Sequence, residues 1–469
     1  MRRAHVLAVS LAALVSGCMV GPDYQRPGIA LPDKYADSAA STEPAPGVTA
    51  QWWKLYDDPL LNELVATSLV DNVDVRAAIA RVDEADAILR QVNAAMFPEF
   101  DLGGHATRTR FNPALETAGS AAIHNDYLLA VSTSFELDFW GRLRRAAEAA
   151  RAQALATVYA RDVVSLTLVG ATAQTYFSIR AFDAQIIATR ETLRTREESL
   201  ALVNRRARGG VASALEVAQA EGLRAQAAAQ LKDLVRGRYV AQHLLGTLTG
   251  RLDVVVPEAD LAAIPLPPVP PPGLPSSLIE RRPDIRAAEQ NLVAANAQIG
   301  VAKAALFPTF SLTGDLGAES AVLSSLLRSS SSIWSAGLNV VVPIFDAGRR
   351  LAALQGQEAT QREVLANYQN AVQTGFREVS DALTNLQQTT AAEVDQAARV
   401  KAARDALRLA NRRYEAGLSP YFDVLDAQRT VNDAELIRIQ NQQAQLSASV
   451  DLMKALGGGW VPGQPLASQ

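Results

Sequence analysis

Two stretches of the chain alternate apolar and polar positions with a period of two, which is typical of β-strands. One face of the first stretch carries Tyr127, Leu129, Val131, Thr133, Phe135, Leu137 and Phe139. The corresponding face of the second stretch carries Trp334, Ala336, Leu338, Val340, Val342 and Ile344. A weaker alternating segment precedes each stretch, starting at Phe100 and at Phe310. The pattern predicts two β-hairpins, at about 98–140 and 308–345.

Four other stretches have almost no proline and are rich in Ala, Leu, Gln, Glu and Arg, which are strong helix formers. They run over about 141–208, 211–250, 347–416 and 420–456. A helix of about 65 residues would be roughly 100 Å long at 1.5 Å per residue, far longer than a typical globular helix. Glycines follow the first and third stretches, as at helix ends. The sequence therefore predicts two long helical hairpins.

The two halves of the chain repeat each other. The blocks Asp74–Ala78 and Phe97–Leu102 return 210 residues later as Asp284–Ala288 and Phe307–Leu312. We therefore expect a duplicated architecture rather than a short-period solenoid. The predicted division is a signal peptide at 1–17, a lipidated tether and equatorial segment at 18–60, a first repeat at 61–256, a Pro-rich linker at 257–275, a second repeat at 276–458 and a C-terminal tail at 459–469.

Composition narrows the function classes. The 469 residues carry a net charge of -4, whereas a nucleic-acid-binding protein usually shows a clustered basic face. The four histidines lack the spacing of metal ligands. No phosphate loop, nucleophile elbow or zincin motif is present. The sequence thus predicts no catalytic residues, no metal, no cofactor and no nucleic-acid partner, and it disfavours an enzyme.

The N-terminus has the form of a secretory signal. Arg2 and Arg3 precede an apolar stretch from Val6 to Val15, and small residues lead to Cys18, the single cysteine. The segment before Cys18 resembles a bacterial lipobox, so we expect a lipidated, palmitate-bearing Cys18 that anchors the chain to the outer membrane. An ordinary signal peptide with a chance cysteine is the alternative.

The alternating strands suit either a half-buried sheet in a soluble protein or the barrel of an outer-membrane protein. The mature chain shows no apolar run of helix length, so any membrane-spanning segment is expected to be β. Four strands do not close a barrel, and open sheet edges are not tolerated in lipid. We therefore expect the chain to oligomerise, and three copies would supply 12 strands.

Several motifs resemble those of TolC-like outer-membrane efflux proteins, in particular the NodT-type lipoproteins of resistance-nodulation-division (RND) efflux systems. In chain order they are Cys18–Pro27, Trp52–Leu60, Glu136–Arg142, Glu280–Ile285, Pro343–Arg349, Asp426–Arg429 and Ala455–Trp460. They cover nearly the whole mature chain.

The resemblance implies an α+β membrane protein in which duplicated helical hairpins form an α-helical barrel in the periplasm. It also implies a homotrimer, in which the four strands of each chain join a 12-strand β-barrel in the outer membrane. The implied partners are a periplasmic membrane-fusion adaptor, an inner-membrane RND pump and outer-membrane lipid. The implied function is an exit duct that passes small molecules out of the cell, and the sequence does not identify them.

The resemblance further implies that the ends of the two helical hairpins meet the adaptor. The predicted docking residues are Gly210, Val211, Ala212, Ser213, Gly417, Leu418 and Ser419. These residues are also suited to an ordinary turn between helices, and both roles can hold at once.

A gate is expected just beyond the second turn. Phe422 and Asp426 are four residues apart and share one helix face. Similar channels close their tunnel with an apolar residue and an Asp at these positions, and three copies would form two rings. Arg413 and Tyr414 match residues that tie neighbouring helices in the closed state. The alternative reading is solvated helix charges and one core aromatic.

Asp423 and Glu216 are weaker candidates for an acidic rim at the same end of the duct. Two other functions remain open at this point. One is the exit duct of a type I protein secretion system, and the other is a lipid-anchored coiled-coil scaffold without a pore.

Overall fold

The computed structural model describes residues 19–30, 32, 35, 48–110, 123–270 and 278–460. The predicted signal peptide, the predicted lipidation site Cys18, part of the Pro-rich linker and most of the C-terminal tail lie outside the described residues.

Long helices dominate the described chain. The α-helices are α1 (Pro59–Asp71), α2 (Val73–Ala94), α3 (Arg142–Arg208), α4 (Ala214–Thr249), α5 (Leu278–Arg281), α6 (Pro283–Ala304), α7 (Arg349–Glu415) and α8 (Tyr421–Ala455). Helices α3 and α7 each have 67 residues. The four predicted long helices, α3, α4, α7 and α8, are confirmed, with ends that differ from the predicted ones by three residues at most.

The shorter helices show the duplication in another way. Asn72 interrupts the helical path between α1 and α2, and its side-chain oxygen accepts from the backbone N–H of Asp74 at 2.8 Å. Arg282 stands 210 residues later, between α5 and α6, immediately before Pro283, which disfavours a helical residue ahead of it. The two repeats therefore break at the same position by different local chemistry, and neither break was predicted.

One sheet contains all four strands of the described chain: β1 (Glu99–Arg110), β2 (Ile123–Glu136), β3 (Thr309–Ser320) and β4 (Ser332–Val341). The sheet is antiparallel in the order β1-β2-β3-β4. Both predicted hairpins are confirmed. They join through the β2–β3 pair, in which Phe135 lies opposite Leu312, so the two repeats share a single sheet.

The two faces of this sheet differ in chemistry. One register row crosses all four strands as Leu102, Val131, Leu316 and Trp334. The adjacent row, which points to the other face, is Asp101, Ser132, Asp315 and Ser335. Leu102 and Trp334 are 72% and 79% exposed, so the described part of the chain leaves the apolar face uncovered. A surface of this kind needs an apolar partner outside the chain.

The chain divides into two compact units. The first contains the described parts of Met1–Gly28, Arg81–Val158 and Ala287–Gln369, including the sheet. The second contains the described parts of Ile29–Ala80, Tyr159–Arg286 and Asn370–Gln469, including both helical turns.

The core of the second unit forms where the segment around Trp52 meets the long helices. Trp52 and Tyr56 are fully buried, and the Tyr56 ring lies 4.9 Å from that of Phe177 in α3. The Tyr56 hydroxyl and Ser449 Oγ of α8 are 2.6 Å apart. The last part of the predicted tether and equatorial segment, 18–60, is therefore part of the folded core.

The expectation that the mature chain contains no apolar run of helix length is wrong. Within α3, an 18-residue window has a mean hydropathy of 1.3, enough by length and composition alone to cross a membrane. Half of that window is buried inside the protein. The packing of α3 in the core accounts for its apolar character.

Candidate gate and docking tips

The two long hairpins end in turns with the same backbone hydrogen bonds. In the first, Val211 N–H donates to the Arg206 carbonyl at 2.9 Å, and Gly210 has a φ of +72°. In the second, Leu418 N–H donates to the Arg413 carbonyl at 2.8 Å, and Gly417 has a φ of +70°. Glycine is favoured at such left-handed positions after a helix. The repeated sequence is therefore folded into repeated turns.

The helices that follow the turns begin differently. Ser213 caps α4, because its Oγ accepts from the backbone N–H of Glu216 at 3.2 Å. Pro420 precedes α8 and provides no side-chain cap. Val211 and Leu418 are 68% and 71% exposed, so the predicted docking tips present one large apolar side chain each.

The predicted gate residues share a shallow groove on α8. Phe422 is 60% exposed, and Asp426 is exposed one turn later on the same face. Both line a groove of about 240 Å³ together with Arg429 of α8 and residues of α4 such as Gln219. Arg429 was not predicted to belong to this site, although its spacing from Asp426 in the sequence could have indicated it.

A buried aromatic cluster lies beside the predicted gate residues. The Tyr414 and Tyr421 rings are 5.1 Å apart, and the guanidinium of Arg206 lies 4.6 Å from the centre of the Tyr414 ring. Both tyrosines pack with Val203 and Leu223 of the first hairpin. Burial raises the pKa of both hydroxyls, so both are neutral at physiological pH. Tyr414 thus contacts α3, α4 and α8 from the end of α7.

The other predicted site residues are at the surface of the single chain. Arg413 and Asp423 are exposed, and within the described residues their side chains have no hydrogen-bond or ion-pair partner. Glu216 is half-buried close enough to Tyr414 to contribute to the raised pKa of its hydroxyl. The chain therefore places Arg413, Asp423, Phe422 and Asp426 where contacts from outside can reach them.

A buried arginine next to the predicted gate residues was missed in the sequence. Arg196 of α3 is 2% exposed, and its Nη1 donates to the Leu223 carbonyl of α4 at 2.8 Å. Burial lowers the pKa of this guanidinium, and its Nε has no partner among the described residues. Nothing in the surrounding sequence distinguishes this arginine from its exposed neighbours.

Two arginines hold the start of the Pro-rich linker against the first hairpin. Arg238 of α4 donates to Asp183 of α3 at 2.5 Å and to the Val256 carbonyl at 2.7 Å. Arg180 of α3 donates to the Pro257 carbonyl at 2.6 Å. These side chains are at least 90% buried. The sequence could not have identified this anchor, because it depends on pairs that are far apart in the chain.

In the first unit, extended residues Met19–Arg26, here called the N-terminal strap, are fixed to α3 and α6. Arg145, which is 3% exposed, donates to Asp23 at 2.6 Å. Arg26 donates to the buried Glu289 at 2.6 Å, and Asn296 donates to the Pro22 carbonyl at 2.8 Å. The strap contains no helix or strand, and ion pairs and backbone contacts hold it along its length.

Among the described residues, no group of three or more His, Cys, Asp or Glu side chains is placed to hold a metal ion.

Comparison with known proteins gives a consistent result. The sequence profile of the outer membrane efflux protein family matches residues 64–251 and 274–458. The toluene efflux pump outer membrane protein TtgF of Pseudomonas putida is 37% identical, and the match covers all of both chains. Outer membrane protein OprJ of Pseudomonas aeruginosa is 35% identical over 98% of this chain and 97% of its own.

Among solved structures, the outer-membrane channel OprN superposes with a TM-score of 0.89 at 31% identity. The superposition covers 94% of this chain and all of that channel. The profile, the relatives and the fold agree over both repeats, and the chain belongs to the outer membrane efflux protein family.

Proposed function

We propose that three copies of this chain form the outer-membrane exit duct of a tripartite RND-type efflux system. The duct receives small molecules from an inner-membrane pump through a periplasmic adaptor and releases them outside. Its role is conduction, and no catalytic step is assigned to it.

The sheet carries this proposal. Its apolar row is exposed, and β1 and β4 each have a strand neighbour on one side only within the described residues. Unpaired strand edges are costly in lipid, where water does not satisfy the backbone groups. Pairing β1 of one copy with β4 of the next satisfies both edges. Three copies close the ring at 12 strands, with the apolar rows outward and the polar rows inward.

We assign the gate to Phe422 and Asp426, with Tyr414 and Arg413 in support and Asp423 and Glu216 as an acidic rim. Copies related by the threefold axis place the exposed Phe422 and Asp426 side chains around the narrow end of the duct. Like charges held close together repel, and a ring of carboxylates disfavours anions. Opening then requires that partners bind a dilated helix packing more tightly than the closed one.

The adaptor docks on the two turns in this proposal, through Gly210–Ser213 and Gly417–Ser419. Their exposed Val211 and Leu418 provide apolar contacts at the ends of the hairpins. Lipidation at Cys18 fixes the chain to the membrane from the N-terminal side. The name of the relative TtgF points to apolar cargo such as toluene, and we extend that cargo class to this chain.

The test is single-channel conductance of purified trimers in planar bilayers. Wild type is compared with Phe422→Ala/Asp426→Ala, and Leu409→Ala/Asp405→Ala serves as control. The control pair is an exposed leucine and an aspartate one turn apart on α7, away from the gate groove. We expect a small wild-type conductance, a several-fold rise in the gate variant and no change in the control.

Equal conductance in all three proteins would support the exit duct but contradict the assignment of the gate to Phe422 and Asp426. If neither the wild-type trimer nor either variant conducts, the exit-duct function is excluded.

A further inference from the structure

The two faces of the sheet carry charges of opposite sign. The acidic side chains of the four described strands all lie on the polar face: Glu99, Asp101, Asp126, Glu136, Asp315 and Glu319. Arg108 and Arg110 lie on the apolar face, in the β1 row that begins with Phe100 and Leu102. The apolar face of the described sheet is therefore neutral along its length except for two positive charges at one end.

The two arginines lie at the end of the sheet that is farthest from the helices along the chain. Strand β1 begins shortly after α2 ends at Ala94, and β2 ends at Glu136, shortly before α3. Strands β3 and β4 join α6 and α7 at the same end. Arg108 and Arg110 occupy the opposite end of β1. With the helices in the periplasm, as in the proposed function, this end faces the outer leaflet of the outer membrane.

The spacing along β1 places both arginines at the level of lipid headgroups. Phe100, which is 69% exposed, starts the apolar row, and Arg108 and Arg110 follow 8 and 10 residues later. At about 3.4 Å per residue, they lie about 27 and 34 Å further along the strand. A strand tilt of about 40° reduces these lengths to about 21 and 26 Å across the membrane, and the apolar band of such barrels is about 25 Å tall. The guanidiniums are therefore placed where hydrocarbon meets headgroups.

The chain does not neutralise this positive charge. Both arginines are exposed, and within the described residues their side chains have no hydrogen-bond or ion-pair partner. Their cross-strand neighbours, Asn125 and Ile123, are uncharged. In the proposed barrel, β1 also pairs with β4 of the next copy, and β4 has no charged residue. Arg328 adds a third exposed positive charge at this end, in the β3–β4 connection. The surface therefore fits a partner that is both apolar and anionic.

We propose that Arg108 and Arg110 form a binding surface for the phosphate groups of an outer-leaflet lipid, of the phosphorylated glycolipid class that lipid A represents. The inference rests on the proposed function, because it needs the sheet to span the membrane. The two side chains leave the same face about 7 Å apart. Each guanidinium can donate two parallel hydrogen bonds to one phosphate, while the acyl chains lie against the apolar row.

The binding surface is tested by native mass spectrometry of detergent-solubilised trimers that are titrated with bisphosphorylated lipid A. The test variant keeps the composition and net charge of the chain but moves both guanidiniums to the polar face: Thr107→Arg/Arg108→Thr/Thr109→Arg/Arg110→Thr. A basic residue close to an anionic lipid surface strengthens binding roughly fivefold, so we expect this variant to bind lipid A about thirtyfold more weakly than wild type.

A second pair of variants serves if the exchanged protein does not form trimers. Arg108→Gln/Arg110→Gln should show the same loss of affinity. Its control is Arg76→Gln/Arg90→Gln, which removes the same charge from two exposed positions on α2 and should bind lipid A like wild type.

Equal affinity of wild type and the β1 variants for lipid A would overturn the proposal, because the arginines would then be charges that reach only water. Undiminished binding of dephosphorylated lipid A would exclude the phosphate groups as the ligand. Displacement of lipid A by inorganic phosphate at the same concentration would show a site for free phosphate and would equally overturn the lipid assignment.

Lipid binding and conduction are measured separately, so the two proposals fail in different ways. Trimers that bind lipid A through these arginines but do not conduct would contradict the exit duct and support the binding surface. Trimers that conduct and bind lipid A equally with and without the arginines would support the duct and contradict the binding surface.

Discussion

The ring of Tyr414, in the last turn of α7, lies 5.1 Å from the ring of Tyr421, in the first turn of α8. The pair closes the second hairpin directly above its turn. Because Arg206 of α3 stacks on Tyr414, the same pair also joins the two hairpins. The side chains next to it in sequence, Arg413 and Phe422, are exposed. Buried and exposed positions thus alternate at the turn ends of the helical hairpins, where we place the gate.

Removing the Tyr414 ring is expected to loosen this end. Truncation of a buried aromatic to alanine typically costs about 3–5 kcal/mol, so Tyr414→Ala should favour open arrangements of the hairpin ends. We predict a rise in single-channel conductance and greater susceptibility of host cells to large polar antibiotics. Tyr414→Phe is the control, because the Tyr414 hydroxyl has no hydrogen-bond partner among the described residues. Equal conductance of Tyr414→Ala and wild type would contradict the role of the pair.

The buried ion pairs at the start of the Pro-rich linker should be sensitive to loss of the Asp183 carboxylate. Asp183 is 1% exposed and faces Arg238 at 2.5 Å and Arg180 at 3.5 Å. Asp183→Ala leaves two buried guanidiniums without their carboxylate, and breaking a buried pair costs about 3–5 kcal/mol. We predict a marked fall in the thermal unfolding temperature of the trimer.

The control for Asp183→Ala is Asp233→Ala, which removes an exposed carboxylate paired with Arg236 on the surface of α4. Solvent screens such pairs, so we expect little change. If both variants unfold at the same temperature as wild type, the anchor does not stabilise the fold.

The strap depends on a glycine that allows two backbones to meet. Gly21 has a φ of +105°, and a Cβ there would lie 2.5 Å from the Cα of Gly300 in α6. Gly21→Ala therefore strains the backbone by about 1–3 kcal/mol and adds a clash. We predict that the strap detaches and that limited proteolysis cuts near the N-terminus. Gly28→Ala is the matched control, because no atom lies within 4 Å of a Cβ at that position. Full protection of Gly21→Ala would contradict the close approach.

The sequence predicted the parts of this fold that follow from local periodicity. The composition of its 67 residues predicts α3 as a helix, and the alternation of apolar and polar residues predicts β2 as a strand. Both signals are local, because each residue type reflects its own surroundings. Neither the contacts of the N-terminal strap nor the buried contacts of Arg180 and Arg238 at the start of the Pro-rich linker were predicted. These contacts join residues as distant as Arg26 and Glu289, and no local pattern marks which arginine will be buried. The shared face of Phe422 and Asp426 follows from their spacing, whereas a ring requires other copies of the chain.

A pH-dependent stability is expected at Tyr35. Its ring is 2% exposed and stacks on Phe376 with centroids 5.2 Å apart. Burial raises the pKa of the Tyr35 hydroxyl from 10 to about 12, with Arg282 opposing the shift. The unfolded chain therefore loses this proton at lower pH than the folded chain. The contribution to stability is complete below pH 10 and is lost as the pH rises from 10 towards 12.

Comparison with Tyr35→Phe isolates this effect, because other buried tyrosines such as Tyr56 also have raised pKa values and contribute equally to both proteins. Phenylalanine keeps the stack on Phe376 and does not titrate. We predict that the free energy of unfolding, measured by denaturant titration at a series of pH values, falls less steeply above pH 10 in the variant. Identical pH slopes would show that the Tyr35 hydroxyl ionises as readily in the folded protein as in the unfolded chain, and that its burial does not hold the proton.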